Sequence, residues 1–240
     1  MNDEKLAKKY QEILRGIDIN FLNSNKPKKL SGVFLPSVPD TYIEAKNKIM
    51  IVGRETRAWP VLKENEDFPG LDKYIQKTMA QHKKYFVKTI SENKGRGNSF
   101  FNFVRDIKEV SGVEGLVWTN LLSFSWNNGN PLNAPCFDMV KEYSRRLLHA
   151  QIEFFRPSLI IFANGSSTTR IRREFFPVDG KVCTNGYDFS QAGVEKHQLW
   201  AFTLYNNIQC YRIHHPSHWA KKSVAARQYL LTQLPKRSNR

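Results

Sequence analysis

The sequence predicts an α/β fold: a three-layer sandwich with helices on both faces of a central four-stranded parallel sheet. Three observations lead there. Four short apolar runs rich in β-branched residues read as buried strands. Amphipathic helical patterns fall between them. Strands that alternate with helices build a parallel sheet, because each crossover helix returns the chain to the same end of the sheet. At 240 residues the chain is long enough for one core, so a single domain over 1–240 is expected.

Taken in order, residues 3–16 place Leu6, Tyr10, Ile13 and Leu14 on one face of a helix that Gly16 stops. A connector follows from Asn23 to Pro39. It opens with Lys26-Pro27-Lys28-Lys29 and shows no apolar period, so residues 1–40 read as a helix plus irregular chain. The first strand is Lys48–Gly53. The others are Gly115–Leu121, Ser158–Gly165 and Gln209–His214. Helices are expected over Leu71–Ile90, Ser99–Val110, Pro135–Phe155, Ser166–Phe176 and Ser217–Leu234. Pro177–Leu199 is polar and contains glycine, which suits a loop or small hairpin. The basic tail, 235–240, is expected to be loose.

Composition limits the function. No apolar run reaches the ~18 residues of a membrane span. The first fifteen residues carry no apolar block, so neither a membrane partner nor a secretory signal is expected. The cysteines at 136, 183 and 210 are far apart and no CxxC occurs, which argues against structural zinc or a cysteine-held iron–sulfur cluster. A reducing cytoplasm is the expected compartment. Lysine and arginine number 37 against 22 acids, a surplus of +15 that points to a polyanion, most simply nucleic acid.

In an open α/β sheet, ligands bind beyond the carboxyl ends of the strands. The residues there are Gly53-Arg54-Glu55-Thr56-Arg57, Asn120, Asn164-Gly165-Ser166-Ser167 and His215-Pro216-Ser217. Together they offer a carboxylate, an amide, a Gly/Ser turn and an imidazole.

This constellation resembles the uracil-DNA glycosylase superfamily, of which the chain is identified as a divergent member. In that family the first strand ends in Gly-x-(Asp/Asn/Ala)-Pro, and Gly53-Arg54-Glu55-Thr56 stands in its place. The last strand ends in His-Pro-Ser, here His215-Pro216-Ser217. The second ends in an Asn, here Asn120. A Pro-Ser-x-x-Asn segment that opens a helix is similar in spacing to Asn98-Ser99-Phe100-Phe101-Asn102. Departures are Thr56 in place of proline, Glu55 in place of Asp, Asn or Ala, and a longer stretch from Arg57 to Gly97.

The resemblance implies a monofunctional glycosylase that flips a base and cleaves its N-glycosidic bond. It implies no metal and no organic cofactor, and no obligatory protein partner. The partner is DNA, double- or single-stranded. Cleavage puts positive charge on the sugar and negative charge on the leaving base. Glu55 suits the first, orienting water or facing the cation. His215 suits the second, donating to the base as a neutral imidazole. Their structural alternatives are a surface Glu paired with Arg54 or Arg57, and a capping histidine. His214 is expected on the opposite side of the strand.

Asn120 presents donors and an acceptor to a base edge. By resemblance, Gly53 belongs to the water-positioning loop and Phe68 stacks on the flipped base. Ser217 and Ser166, read as helix openers, and Ser99 are candidate phosphate contacts. Trp219 matches the family's wedge. Lys221 and Lys222 belong to one basic cluster (217–240), and a second runs from His82 to Gly97. In uracil-specific members an aromatic follows the proline and blocks larger bases. Here Arg57, Ala58 and Trp59 follow, so a bulky modified pyrimidine is the expected substrate, such as the glucosylated hydroxymethylcytosine of phage DNA, in phage defence. Alternatives are uracil or damaged-base repair, a non-catalytic DNA-binding module, and a single-strand or RNA binder built on Phe100, Phe101 and Phe103.

Overall fold

A computed structural model describes residues 2–22, 30–63 and 65–237. The helices are α1 (Asn2–Leu14), α2 (Leu71–Ser91), α3 (Ser99–Ser111), α4 (Phe137–Phe155), α5 (Thr169–Phe175) and α6 (Lys221–Gln233). The strands are β1 (Ile49–Gly53), β2 (Leu116–Asn120), β3 (Leu159–Phe162), β4 (Cys183–Asp188), β5 (Leu199–Leu204) and β6 (Ile208–Ile213). The chain divides into two compact units. One comprises Met1–Val38, Arg54–Val87 and Thr119–Arg156. The other comprises Pro39–Gly53, Lys88–Trp118 and Pro157–Arg240.

The second unit carries the sheet, in the order β2-β1-β3-β6-β5-β4. Pairs β1–β3 and β3–β6 are parallel, while β6–β5 and β5–β4 are antiparallel. The expected four parallel strands are therefore corrected to a six-stranded mixed sheet. The α/β class stands. The two extra strands come from Cys183–Leu204, where β4 and β5 pair antiparallel. This is the hairpin of the two expectations for Pro177–Leu199, extended to Leu204 and joined to the sheet through β6. In β4 only Cys183 is buried, and its register slips between Thr184 and Tyr187, where Asn185 has φ +51°. A polar, irregular edge strand of this kind leaves no clean alternation to read.

β1 is buried along its whole length, as expected for a strand covered on both faces. Its start is tied to the turn before β2, where Ile49 donates its backbone N–H to the Gly115 carbonyl (2.9 Å). Only glycine fits at 115, since a Cβ there would lie 1.9 Å from the Asn47 carbonyl oxygen. The strand order reverses at β1, with β2 on one side and β3 on the other, which makes the carboxyl end of β1 the topological switch point.

In the first unit α1 packs on α4. Its buried face is Leu6, Tyr10 and Leu14, while Ile13 is half-exposed. The connector is irregular, as expected, yet residues 32–38 are fully buried. Neighbouring carbonyls and side chains share the task of satisfying its backbone: Gly32 N–H donates to the Trp59 carbonyl (3.0 Å) and Phe34 N–H to the Ser123 carbonyl (2.7 Å). The Tyr74 hydroxyl accepts from Val33 N–H (3.1 Å), His82 Nδ1 accepts from Ser37 N–H (3.1 Å), and Asp3 accepts from Val38 N–H (2.7 Å). The Lys26–Lys29 run lies outside the described residues, as do 238–240 of the tail.

Candidate active site

In the second unit Val52, Phe162 and Arg212 stand in register, so β1, β3 and β6 end level. The segments that leave these ends, Asn164-Gly165 and His214-His215, meet. Gly165 has φ +82°, and a Cβ there would come within 3.1 Å of His215 Cβ. The positive φ favours glycine, and a Cβ would crowd His215. Asn164 is buried, and its amide donates to Thr168 Oγ1 (2.7 Å).

His215 is held by the turn that follows it. The Ser217 backbone N–H donates to His215 Nδ1 (3.2 Å), and the Ser217 hydroxyl lies 2.8 Å from the same atom. A backbone N–H can only donate, so Nδ1 is the acceptor and the neutral ring carries its proton on Nε2. The Phe100 ring, on the first turn of α3, stacks on the imidazole at 6.1 Å and 20°. Phe101 meets Trp118 edge-on at 4.9 Å. Phe100 is half-exposed beside the imidazole.

The turn is braced from behind. His218 N–H donates to the His215 carbonyl (2.8 Å), and Arg227 donates to the His218 carbonyl (3.1 Å). His218 Nδ1 lies 2.8 Å from the Ser223 hydroxyl, which itself donates to Gln198 Oε1 (2.7 Å). The Ser223 oxygen therefore accepts from His218 Nδ1–H. His214 stacks on His218 at 5.1 Å. Burial first, and then the charge of Arg212, holds the His214 imidazole below its ordinary pKa of 6.5. Trp219, just beyond, is 67% exposed, with the Arg227 guanidinium 5.8 Å from its ring.

Several phosphate candidates are placed differently from expectation. α6 begins at Lys221 with Ala220 as its cap, so Ser217 opens no helix; its hydroxyl is committed to His215. α5 begins at Thr169 and has seven residues, so Ser166 lies in the preceding turn, exposed. Ser99 is the first residue of α3, as expected. Lys221 is exposed, and Lys222 pairs with Glu195 (2.8 Å). In the other basic cluster Lys94 pairs with Asp106.

The remaining candidates lie in the first unit. Glu55 follows Gly53, the last residue of β1, by two positions. Its side chain is 3% exposed, and its carboxylate accepts a two-pronged contact from Arg54, through Nε (2.5 Å) and Nη2 (2.8 Å). Leu122 N–H donates to the Arg54 carbonyl (2.9 Å), which brings this loop beside the segment leaving Asn120. Asn120 is 2% exposed. Arg57 and Ala58 are exposed. Trp59 is buried; its indole N–H donates to Thr78 Oγ1 (2.9 Å) and its ring meets Phe34 at 5.0 Å. Phe68 is half-buried against Tyr74 at 5.5 Å.

Among the described residues no group of three His, Cys, Asp or Glu side chains is arranged to hold a metal ion. No helix among them is long and apolar enough to cross a membrane. No protein-family model matches the chain, and no curated protein matches it.

Proposed function

We propose that this chain is a monofunctional DNA glycosylase of the cytoplasm, similar to the uracil-DNA glycosylase superfamily in its three-layer arrangement. One observation carries the reading. At the carboxyl edge of the parallel strands, Ser217 fixes the tautomer of His215 and makes Nε2–H the ring's hydrogen-bond donor. A neutral imidazole fixed before substrate arrives is what stabilises an anionic leaving base, because its reorganisation cost is met during folding.

In this scheme a nucleotide is flipped out of the helix. Glu55 orients a water and faces the positive charge that grows on the sugar. The water's oxygen bonds to the anomeric carbon as the carbon–nitrogen bond breaks, and the proton it sheds passes to the Glu55 carboxylate. The bonding pair leaves with the base, stabilised by the donor on His215. Asn120 reads the base edge and Phe68 stacks on it. Trp219 fills the gap in the duplex, and Lys221, Lys222, Ser99 and Ser166 hold the phosphates. The net charge of +15 suits that partner.

A bulky modified pyrimidine, such as glucosylated hydroxymethylcytosine, is the proposed substrate. Arg57 and Ala58 are exposed after Glu55, and the aromatic Trp59 is buried, with its indole N–H committed to Thr78, which suits a site without an aromatic gate. The biological role proposed with it is phage defence.

The test is incubation with two duplexes, one containing uracil and one glucosylated hydroxymethylcytosine, with abasic sites counted by alkali cleavage. Cleavage of the glucosylated duplex alone is expected. Cleavage of the uracil duplex alone would make it a repair enzyme and end the open-gate argument. The Arg54 contact on Glu55, which occupies the proposed catalytic carboxylate, favours a second reading as a DNA-binding module without chemistry. Salt-sensitive binding with no cleavage of either duplex would establish it.

A further inference from the structure

α5 carries three arginines with different fates. Arg170 pairs with Glu174 one turn on (3.1 Å), which uses the only acid of that helix. Arg173 is exposed. Arg172 turns inward, 7% exposed, its guanidinium carbon 5.8 Å from the Phe162 ring centre and 5.6 Å from that of Phe202. Arg212 on β6 is in register with Phe162 of β3 and with Trp200 of β5, so it shares their face of the sheet. One of its Nη groups donates to the His197 carbonyl (2.9 Å).

None of Arg172, Arg173 and Arg212 has a carboxylate partner among the described residues. The Nε–H groups of Arg172 and Arg212 are both buried with no hydrogen-bond acceptor. Burying a cation without an anion is strongly unfavourable, and so is burying a donor without an acceptor. Burial, and next the neighbouring Arg212, pushes the Arg172 pKa down to about 10. Phe162 and Phe202 lie within cation–π distance of the guanidinium but accept none of its N–H hydrogen bonds.

We propose that Arg172 and Arg212, with Arg173 at the rim, form a binding site for a phosphate group. Two guanidinium groups with unused in-plane donors match a dianion with several acceptor oxygens better than a carboxylate, which a single fork satisfies. The site is independent of the glycosylase reading and survives its failure.

The test is thermal unfolding of the full chain in inorganic phosphate against chloride of equal ionic strength. Wild type is expected to gain about 3–6 °C when phosphate is tenfold above its Kd. Arg172→Met is expected to be more stable than wild type in chloride, because it removes an unpaired buried charge, and to lose the phosphate-specific gain. Arg212→Met is expected to lose that gain too. An equal gain in wild type and both variants would be the general salting effect of phosphate and would overturn the site. Direct titration of wild type by calorimetry needs no variant, and absence of saturable phosphate binding would overturn it as well. A duplex oligonucleotide identifies the source of the phosphate. A roughly tenfold loss of oligonucleotide affinity in Arg172→Met, with competition by free phosphate, assigns it to a strand backbone. Saturable phosphate binding with unchanged oligonucleotide affinity assigns it to a free phosphate or nucleotide.

Discussion

Ser217 fixes His215: its backbone N–H and its hydroxyl both address Nδ1, at 3.2 and 2.8 Å. Ser217→Ala removes the hydroxyl and leaves the backbone donor. A loss of about tenfold in the rate of abasic-site formation is expected from looser positioning, with stability unchanged within about 0.5 kcal/mol. Single-turnover kinetics beside urea melts separate the two. His215→Ala is expected to lose about 100-fold or more.

Gly165 has φ +82° and lies against His215. Gly165→Ala therefore meets two penalties, the left-handed backbone and a 3.1 Å contact. A loss of about 1–3 kcal/mol is expected. Differential scanning calorimetry should show a fall of about 3–8 °C. An unchanged melting temperature would mean the turn is free to move.

Glu55→Gln keeps the shape of the side chain and removes its charge. The reaction is expected to slow about 100-fold while duplex affinity in a gel-shift assay stays within about twofold. Arg54 loses its charged partner, so stability falls by about 1–2 kcal/mol, less than a fully buried pair because Arg54 is 28% exposed. Equal activity in the variant and wild type would remove Glu55 from the chemistry.

His214 supplies a pH dependence. Its folded pKa lies below 6.5, so the unfolded chain binds the proton more tightly. The resulting stability is fully present above about pH 6.5 and is lost as pH falls through the lower, folded value. Chemical denaturation at stepped pH should show a decline below neutrality that His214→Phe reduces. A variant with the same slope as wild type would assign the decline elsewhere.

Trp219→Ala removes a 67% exposed ring, so folding should change by less than about 0.5 kcal/mol. Duplex affinity is expected to fall about tenfold, the scale of one lost stacking contact. An unchanged affinity would show that the ring serves only Arg227.

Much of this arrangement was legible because its physics is local. Ile49–Val52 and Leu159–Phe162 announce buried strands through branched apolar side chains, and glycines mark where the chain turns. What was illegible depends on distant partners. β5 takes its place only because β6 offers an antiparallel edge, and β4 carries little apolar signal of its own. Residues 32–38 look like a linker until the Trp59 and Ser123 carbonyls and the side chains of Tyr74, His82 and Asp3 satisfy their backbone. At the site, His215-Pro216-Ser217 was visible, but the Phe100 stack and the His214–His218 pair required the folded turn. Arg172 stood among three arginines of α5 with nothing in the string to single it out.

The two margins of the sheet differ in kind. β2 is buried along its length, whereas β4 leaves Asn185, Gly186 and Tyr187 exposed at a slipped register. A regular, apolar margin would template the addition of a strand from another molecule. This one offers a kinked, polar ladder that a foreign strand cannot follow for more than a few residues. The β4 margin is therefore a poor template for strand addition, and regular pairing restored at Asn185–Tyr187 would make it a better one.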